Sequence, residues 1–170
     1  MNDIEFGEKL HNYLRKMEVY LMKMGANRQD AEDVIQDTAY KFLSNIDSIH
    51  IESVESWLFR VAVNQYYDLC RKKNRRQNIT LNFDYKDLLF DEFTPEKAVL
   101  QKELEKDIHI LLESIKPKYA QFLILKYSTG LRLIEIAALY GMKVDSVKTI
   151  MHRARKQFIK EYRRYQGEER

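Results

Sequence analysis

Gly130–Phe158 reads GLRLIEIAALYGMKVDSVKTIMHRARKQF, and its order of small, apolar and basic residues decides the fold of the C-terminal part of the chain. A helix-turn-helix needs a small residue where its helices cross, a residue tolerant of positive φ in the turn, and apolar residues at fixed offsets to lock the pair. Ala137 fills the first slot and Gly141 the second, while Ile136, Tyr140, Met142 and Val147 form the lock. At about 100° per residue, Val147, Met151, Ala154 and Phe158 share the side of the second helix that would pack on the first. Thr149, His152, Arg153 and Lys156 lie opposite, with Lys148 and Ile150 on the flanks. That outward set has groove-reading chemistry: Arg and Lys donate to guanine edges, Thr serves either role, and Ile touches a thymine methyl. Asp145 and Ser146 are the expected caps of this helix. A cap there turns the positive end of the helix dipole towards phosphate, with the Asp145 carboxylate working partly against it.

The rest of the chain is also helical in composition. Five glycines and two prolines in 170 residues, with abundant Leu, Ile, Lys, Glu and Tyr, argue for an all-α protein. Leu10, Leu14, Met17, Leu21 and Met24 repeat at helical spacing, Gly25 stops that helix, and Asn27 and Asp30 signal the next start. In the second helix Ala31, Ile35, Thr38, Ala39 and Phe42 face one way. Asp33, Gln36, Asp37 and Tyr40 face the other. The serine-rich run 44–56 reads as a loop. A third helix follows in WLFRVAVNQYYDLCRKKNRR, where Trp57, Leu58, Val61, Ala62 and Leu69 keep the period and a basic cluster suits the C-terminal end of the dipole.

Between residues 78 and 98 the period fails, and a structureless run of that length inside one compact domain would be unusual. It reads as a flexible acidic linker, so the expected organisation is two small helical domains, 1–77 and 99–170. The charges divide the same way. Residues 1–77 hold 12 Lys and Arg against 12 Asp and Glu, 78–98 hold 2 against 5, and 99–170 hold 15 against 9. A basic C-terminal part points to a polyanion partner. Helical periodicity resumes through AVLQKELEKDIHILLESI, and Pro117 suits the first turn of KYAQFLILKY.

With these residues in view, the chain resembles an extracytoplasmic-function (ECF) sigma factor of bacterial RNA polymerase. Three stretches carry the resemblance: DAEDVIQDTAYKF resembles the family's core-binding helix, WLFRVAVNQYYDLCRKKNRR its promoter-melting helix, and the Gly130–Phe158 stretch its helix-turn-helix. The first implies docking on the β′ coiled coil of core RNA polymerase through Asp33, Gln36, Asp37 and Tyr40. The second implies opening of the −10 element by the serine-rich segment with Trp57, Arg60 and Asn64, and backbone contacts from Arg71, Lys72, Lys73, Arg75 and Arg76. Capture of an unstacked base needs hydrogen bonds, a pocket and nearby cations. The third implies reading of −35 promoter DNA by Ser146, Lys148, Thr149, His152, Arg153 and Lys156. The resemblance further implies contact with the polymerase β flap and an anti-sigma factor as an additional partner class. Related sequences often carry Pro, Gly and Arg where this chain has Lys143, Asp145 and Ile150, and Arg where it has Ala120, so base preference is not transferable. In the family the acidic linker threads polymerase channels, which implicates Asp84, Asp87, Asp91 and Glu92. About twenty residues at about 3.3 Å each span roughly 65 Å, enough for contacts one and a half duplex turns apart, near 50 Å.

Two other readings compete. A stand-alone helix-turn-helix regulator explains 99–170 but leaves the Asp33 stripe and WLFRVAVN without a job. A metal-dependent nuclease would use Glu32, Asp33 and Asp37, which lack a histidine or second acidic helix to complete a site. His11, His50 and His109 are scattered without ligand spacing, so neither metal nor cofactor is expected. Cys70 is alone and reads as a buried structural thiol. No stretch approaches eighteen apolar residues and the N-terminus has no basic start, so the protein is expected in the cytoplasm, without membrane insertion.

Overall fold

The computed structural model describes residues 2–50, 53–77, 81–89 and 98–167, without the side chains of 74–77, 98–103, 105 and 106. Among the described residues the regular structure is helical: α1 (Asp3–Lys23), α2 (Arg28–Ser44), a single 3₁₀ turn (Ile46–Ser48), α3 (Val54–Gln77), α4 (Tyr85–Leu88), α5 (Ala98–Ser114), α6 (Pro117–Tyr127), α7 (Leu133–Tyr140) and α8 (Val144–Tyr165). The chain divides into two compact units, Met1–Leu69 and Cys70–Arg170, so the division falls inside α3 rather than at residue 78. Cys70 is buried and not in a disulfide.

In the first unit, short polar side chains set the helix starts. Asn2 Oδ1 accepts from the Glu5 N–H at 2.8 Å, and Asn27 Oδ1 accepts from the Asp30 N–H at 2.8 Å. Gly25, at φ 107°, ends α1 by letting the chain turn back, with the Gly25 and Ala26 N–H groups donating to the Met22 and Leu21 carbonyls. Phe42, Val54 and Leu58 form a core on which Phe6, Leu10, Tyr13, Leu14, Ile49 and Trp57 pack. The buried side of α2 is Asp30, Ala31, Val34, Thr38 and Phe42. Val34 thus takes a core place that the pattern alone gave to Ile35, which is half-buried. Three serines of the 44–56 segment bond to nearby backbone: the Ser44, Ser48 and Ser53 hydroxyls donate to the Tyr40, Asn45 and His50 carbonyls.

In the second unit α8 packs against α5, α6 and α7. Six of the eleven residues of α6 are buried, among them Phe122, Leu123 and Leu125. Within the 78–98 segment, residues 81–89 depart from the expectation of a structureless linker. Asp84 caps α4 by accepting from the Asp87 N–H at 3.2 Å. Leu81, Tyr85, Leu88 and Leu89 are buried. The Asp84 N–H donates to the Tyr127 carbonyl at 2.9 Å, the Tyr85 hydroxyl to the Leu104 carbonyl at 3.1 Å, and Arg155 Nη2 to the Leu88 carbonyl at 3.4 Å. Phe83 stacks on Phe158 at 6.0 Å. The physical reason is that four apolar side chains and a cap suffice to hold one helical turn once α6 and α8 offer a face to bury it. The Asp84 carboxylate is therefore engaged in a cap, to which Asp87 gives its backbone N–H, and Asp91 and Glu92 lie outside the described residues.

Candidate functional site

The helix-turn-helix forms as its framework requires. Ile136, Ala137 and Val147 are buried where α7 meets α8, with Tyr140 and Met142 half-buried beside them. Gly141 sits at φ 59°, ψ 36°, a left-handed geometry that glycine adopts without penalty. Around it the Met142 N–H donates to the Ala137 carbonyl at 2.9 Å and the Gly141 N–H to the Ala138 carbonyl at 3.3 Å, a complete Schellman closure. Glu135 closes the other end of α7, its carboxylate accepting from the Arg132 N–H at 2.7 Å.

On α8 the expected inner side, Val147, Met151, Ala154 and Phe158, is buried, and Tyr162 extends it by one more turn. Ser146, Lys148, Thr149, His152, Arg153 and Lys156 are all exposed on the outer side, and Ile150 is half-buried at its edge. The start of α8 differs from expectation. The helix begins at Val144 after an N-cap at Lys143 whose side chain accepts no hydrogen bond, so neither Asp145 nor Ser146 is the cap. Both stand in the first turn, because the extended backbone needed for a cap falls at Lys143 (φ −70°, ψ 146°). The Asp145 carboxylate instead lies 3.9 Å from Lys148 Nζ, and its carbonyl accepts from the Thr149 hydroxyl at 3.1 Å.

On α2, Asp33, Gln36, Asp37 and Tyr40 are exposed together, opposite the core side. Tyr40 is 71% accessible, and Leu43 and Ile46 continue the exposure at the end of the helix. The Asp37 carboxylate accepts from Gln65 Nε2 of α3 at 2.8 Å and pairs with Lys41 at 3.3 Å. Gln65 was missed in the sequence because its role depends on a helix 28 residues away; only its place beside Asn64 on α3 hinted at exposure.

The α3 residues are less uniform. Trp57 is half-buried, its ring 5.9 Å from that of Phe42, so at least part of its surface belongs to the core of the first unit. Arg60 is half-buried and Asn64 exposed. Further along, Arg71 lies 3.6 Å from Glu113, Lys72 is exposed and Lys73 half-buried. The side chains of Arg75 and Arg76 lie outside the described residues. Among the described residues no three His, Cys, Asp or Glu side chains gather as a metal site, and no helix is long and apolar enough to cross a membrane.

Comparison with known proteins decides what carries these surfaces. The chain is 31% identical over 169 residues to the ECF RNA polymerase sigma factor SigW of Bacillus subtilis (strain 168), covering 93% of this chain and 89% of the relative. The chain belongs to the ECF sigma factors. The family Sigma-70 region 2 matches residues 9–76 of this sigma factor, the segment that holds α2 and nearly all of α3. The ECF RNA polymerase sigma factor SigE of Mycolicibacterium smegmatis is 28% identical over 135 residues, 79% of this sigma factor but only 52%, about half, of that relative's length. Among solved structures, the sigma factor RpoE in complex with the anti-sigma factor NepR from Bartonella quintana aligns at 20% identity, covering 91% of this chain and 94% of that one, with a TM-score of 0.45. Membership of the family places this sigma factor in transcription initiation.

Proposed function

We propose that the protein binds core RNA polymerase through the polar side of α2 and directs it to a restricted set of promoters. The outer side of α8 reads the −35 element, and α3 with the serine-rich segment before it opens the −10 element. In this reading Asp33, Gln36, Asp37 and Tyr40 meet the β′ coiled coil, and the helix-turn-helix unit meets the β flap. The protein works in the cytoplasm and has no catalysis of its own.

The observation that carries the reading is the division of α8. Ser146, Lys148, Thr149, His152, Arg153 and Lys156 are exposed, with Ile150 half-buried at their edge, while five residues at helical spacing on the other side are buried on the unit's core. A solvated basic helix would need no turn residue held at Gly141 and no buried Ala137 to support it. The cations and hydroxyls of that outer side match the donors and acceptors of a major groove.

Two substitutions test the reading in promoter-directed transcription with purified core polymerase. Arg153→Ala is expected to weaken promoter selection by about 1–3 kcal/mol while core binding survives. Asp37→Ala is expected to weaken core binding while the isolated affinity for −35 duplex is unchanged. Intact transcription from both variants would overturn the assignment of these two faces.

A further inference from the structure

We propose that Gln65 is a positioning residue for polymerase binding: it holds the Asp37 carboxylate in the direction in which core polymerase takes it. This rests on the assignment of the α2 polar side to core polymerase. Asp37 is exposed on a helix surface, where an acidic side chain would ordinarily move among rotamers. Here it is held from a second helix, by Gln65 Nε2 of α3 donating to Oδ2 at 2.8 Å.

The orientation of the Gln65 amide is forced by chemistry. A carboxylate only accepts, so the NH₂ must face Asp37, and this turns Oε1 inward. There Oε1 lies 2.9 Å from the Thr38 hydroxyl, which is fully buried and also 2.7 Å from the Val34 carbonyl. The single hydroxyl proton is shared between those two acceptors. The relay therefore has a fixed inner end at Thr38 and a presented outer end at Asp37. Lys41 Nζ meets the same oxygen, Oδ2, at 3.3 Å, so both of these intramolecular donors engage one oxygen of the carboxylate. Oδ1 is then the oxygen turned to a cationic or N–H donor on the polymerase. Holding it in place removes part of the ordering cost of binding.

Gln65 could instead serve only to tie α2 to α3. A tie of that kind would affect thermal stability and would act whether or not Asp37 is present. The two roles separate in a double-mutant cycle with Asp37→Ala, Gln65→Leu and the double variant, measuring the dissociation constant for purified core RNA polymerase and the thermal midpoint of each protein. Gln65→Leu leaves the Thr38 hydroxyl its Val34 acceptor, so folding is expected to survive. Thr38→Val is the second probe, removing the inner anchor while leaving Gln65 in place.

Gln65→Leu is expected to weaken core binding about three- to tenfold in the presence of Asp37 and to add nothing to Asp37→Ala, with Thr38→Val behaving in the same way. Wild-type affinity for Gln65→Leu alongside a clear loss for Asp37→Ala would overturn the inference and leave the polymerase-binding side standing. Losses that multiply in the double variant would also overturn it. Unchanged affinity for Asp37→Ala would remove the polymerase assignment itself, and the inference with it.

Discussion

Trp57 illustrates how one side chain can be claimed by two roles. Its place at helical spacing suits the promoter-melting helix of the family, yet its ring packs beside Phe42 and the Val54–Leu58 core. Removing a partly buried indole costs roughly 2 kcal/mol, about half of what a fully buried one costs. Trp57→Ala is therefore expected to lower the thermal midpoint of the protein, whereas Trp57→Phe, which keeps a ring against Phe42, restores most of it. If DNA opening falls with Trp57→Phe as well, the indole does more than pack. Residues such as Val147, Met151, Ala154 and Phe158 could be read in advance, because period and burial coincide on a helix with one buried side. Gln65 and Val34 could not. The first acts through a contact distant in sequence, and the second competes with a neighbouring Ile35 that is equally apolar, so only the packing of α1 and α3 decides between them.

Among the elements, the α7–α8 turn was readable because its requirement is local: a left-handed residue after Ala137 and Tyr140, which Gly141 meets at φ 59°. Any side chain there is strained, although open space surrounds the position. Gly141→Ala is expected to cost about 1–2 kcal/mol, seen as a fall of several degrees in the thermal midpoint and as weaker −35 binding. The α8 cap was misread for a related reason. Asp145 and Ser146 have the chemistry of a cap, but cap geometry is set two residues before Asp145, where Lys143 is extended. The α4 helix was not readable at all. One turn of helix has almost no periodicity to detect, and its stability comes from burial of Tyr85, Leu88 and Leu89 on a unit whose surface the sequence does not display.

At the scale of the whole molecule, Tyr127 makes the second unit sensitive to alkaline pH. Burial holds the Tyr127 phenol above its ordinary value, with Arg155 drawing it back and the Asp87 and Asp84 charges adding to the rise. The unfolded chain releases that proton near pH 10, while the folded protein retains it to higher pH. Above about pH 10 the folded state binds more protons, so stability falls as pH rises. The thermal midpoint is expected to drop from pH 9 to pH 11, and less steeply in Tyr127→Phe. The all-α class and the division into two units follow from composition and pattern, since few breakers and sustained periods leave little else. The same seating of α4 changes what the length of the 78–98 segment means. Leu89 and Ala98 belong to one unit, so residues added between them lengthen a connection within the second unit, at about 0.6 kcal/mol for each doubling of its length. Residues added between Gln77 and Leu81 fall within that same unit, since the division lies between Leu69 and Cys70. Gly-Ser pairs inserted at either place are thus expected to leave the tolerated spacing between −35 and −10 elements unchanged, as promoters of graded spacer length would report. The stretch that reads as a linker is a connection inside one unit rather than a spacer between two.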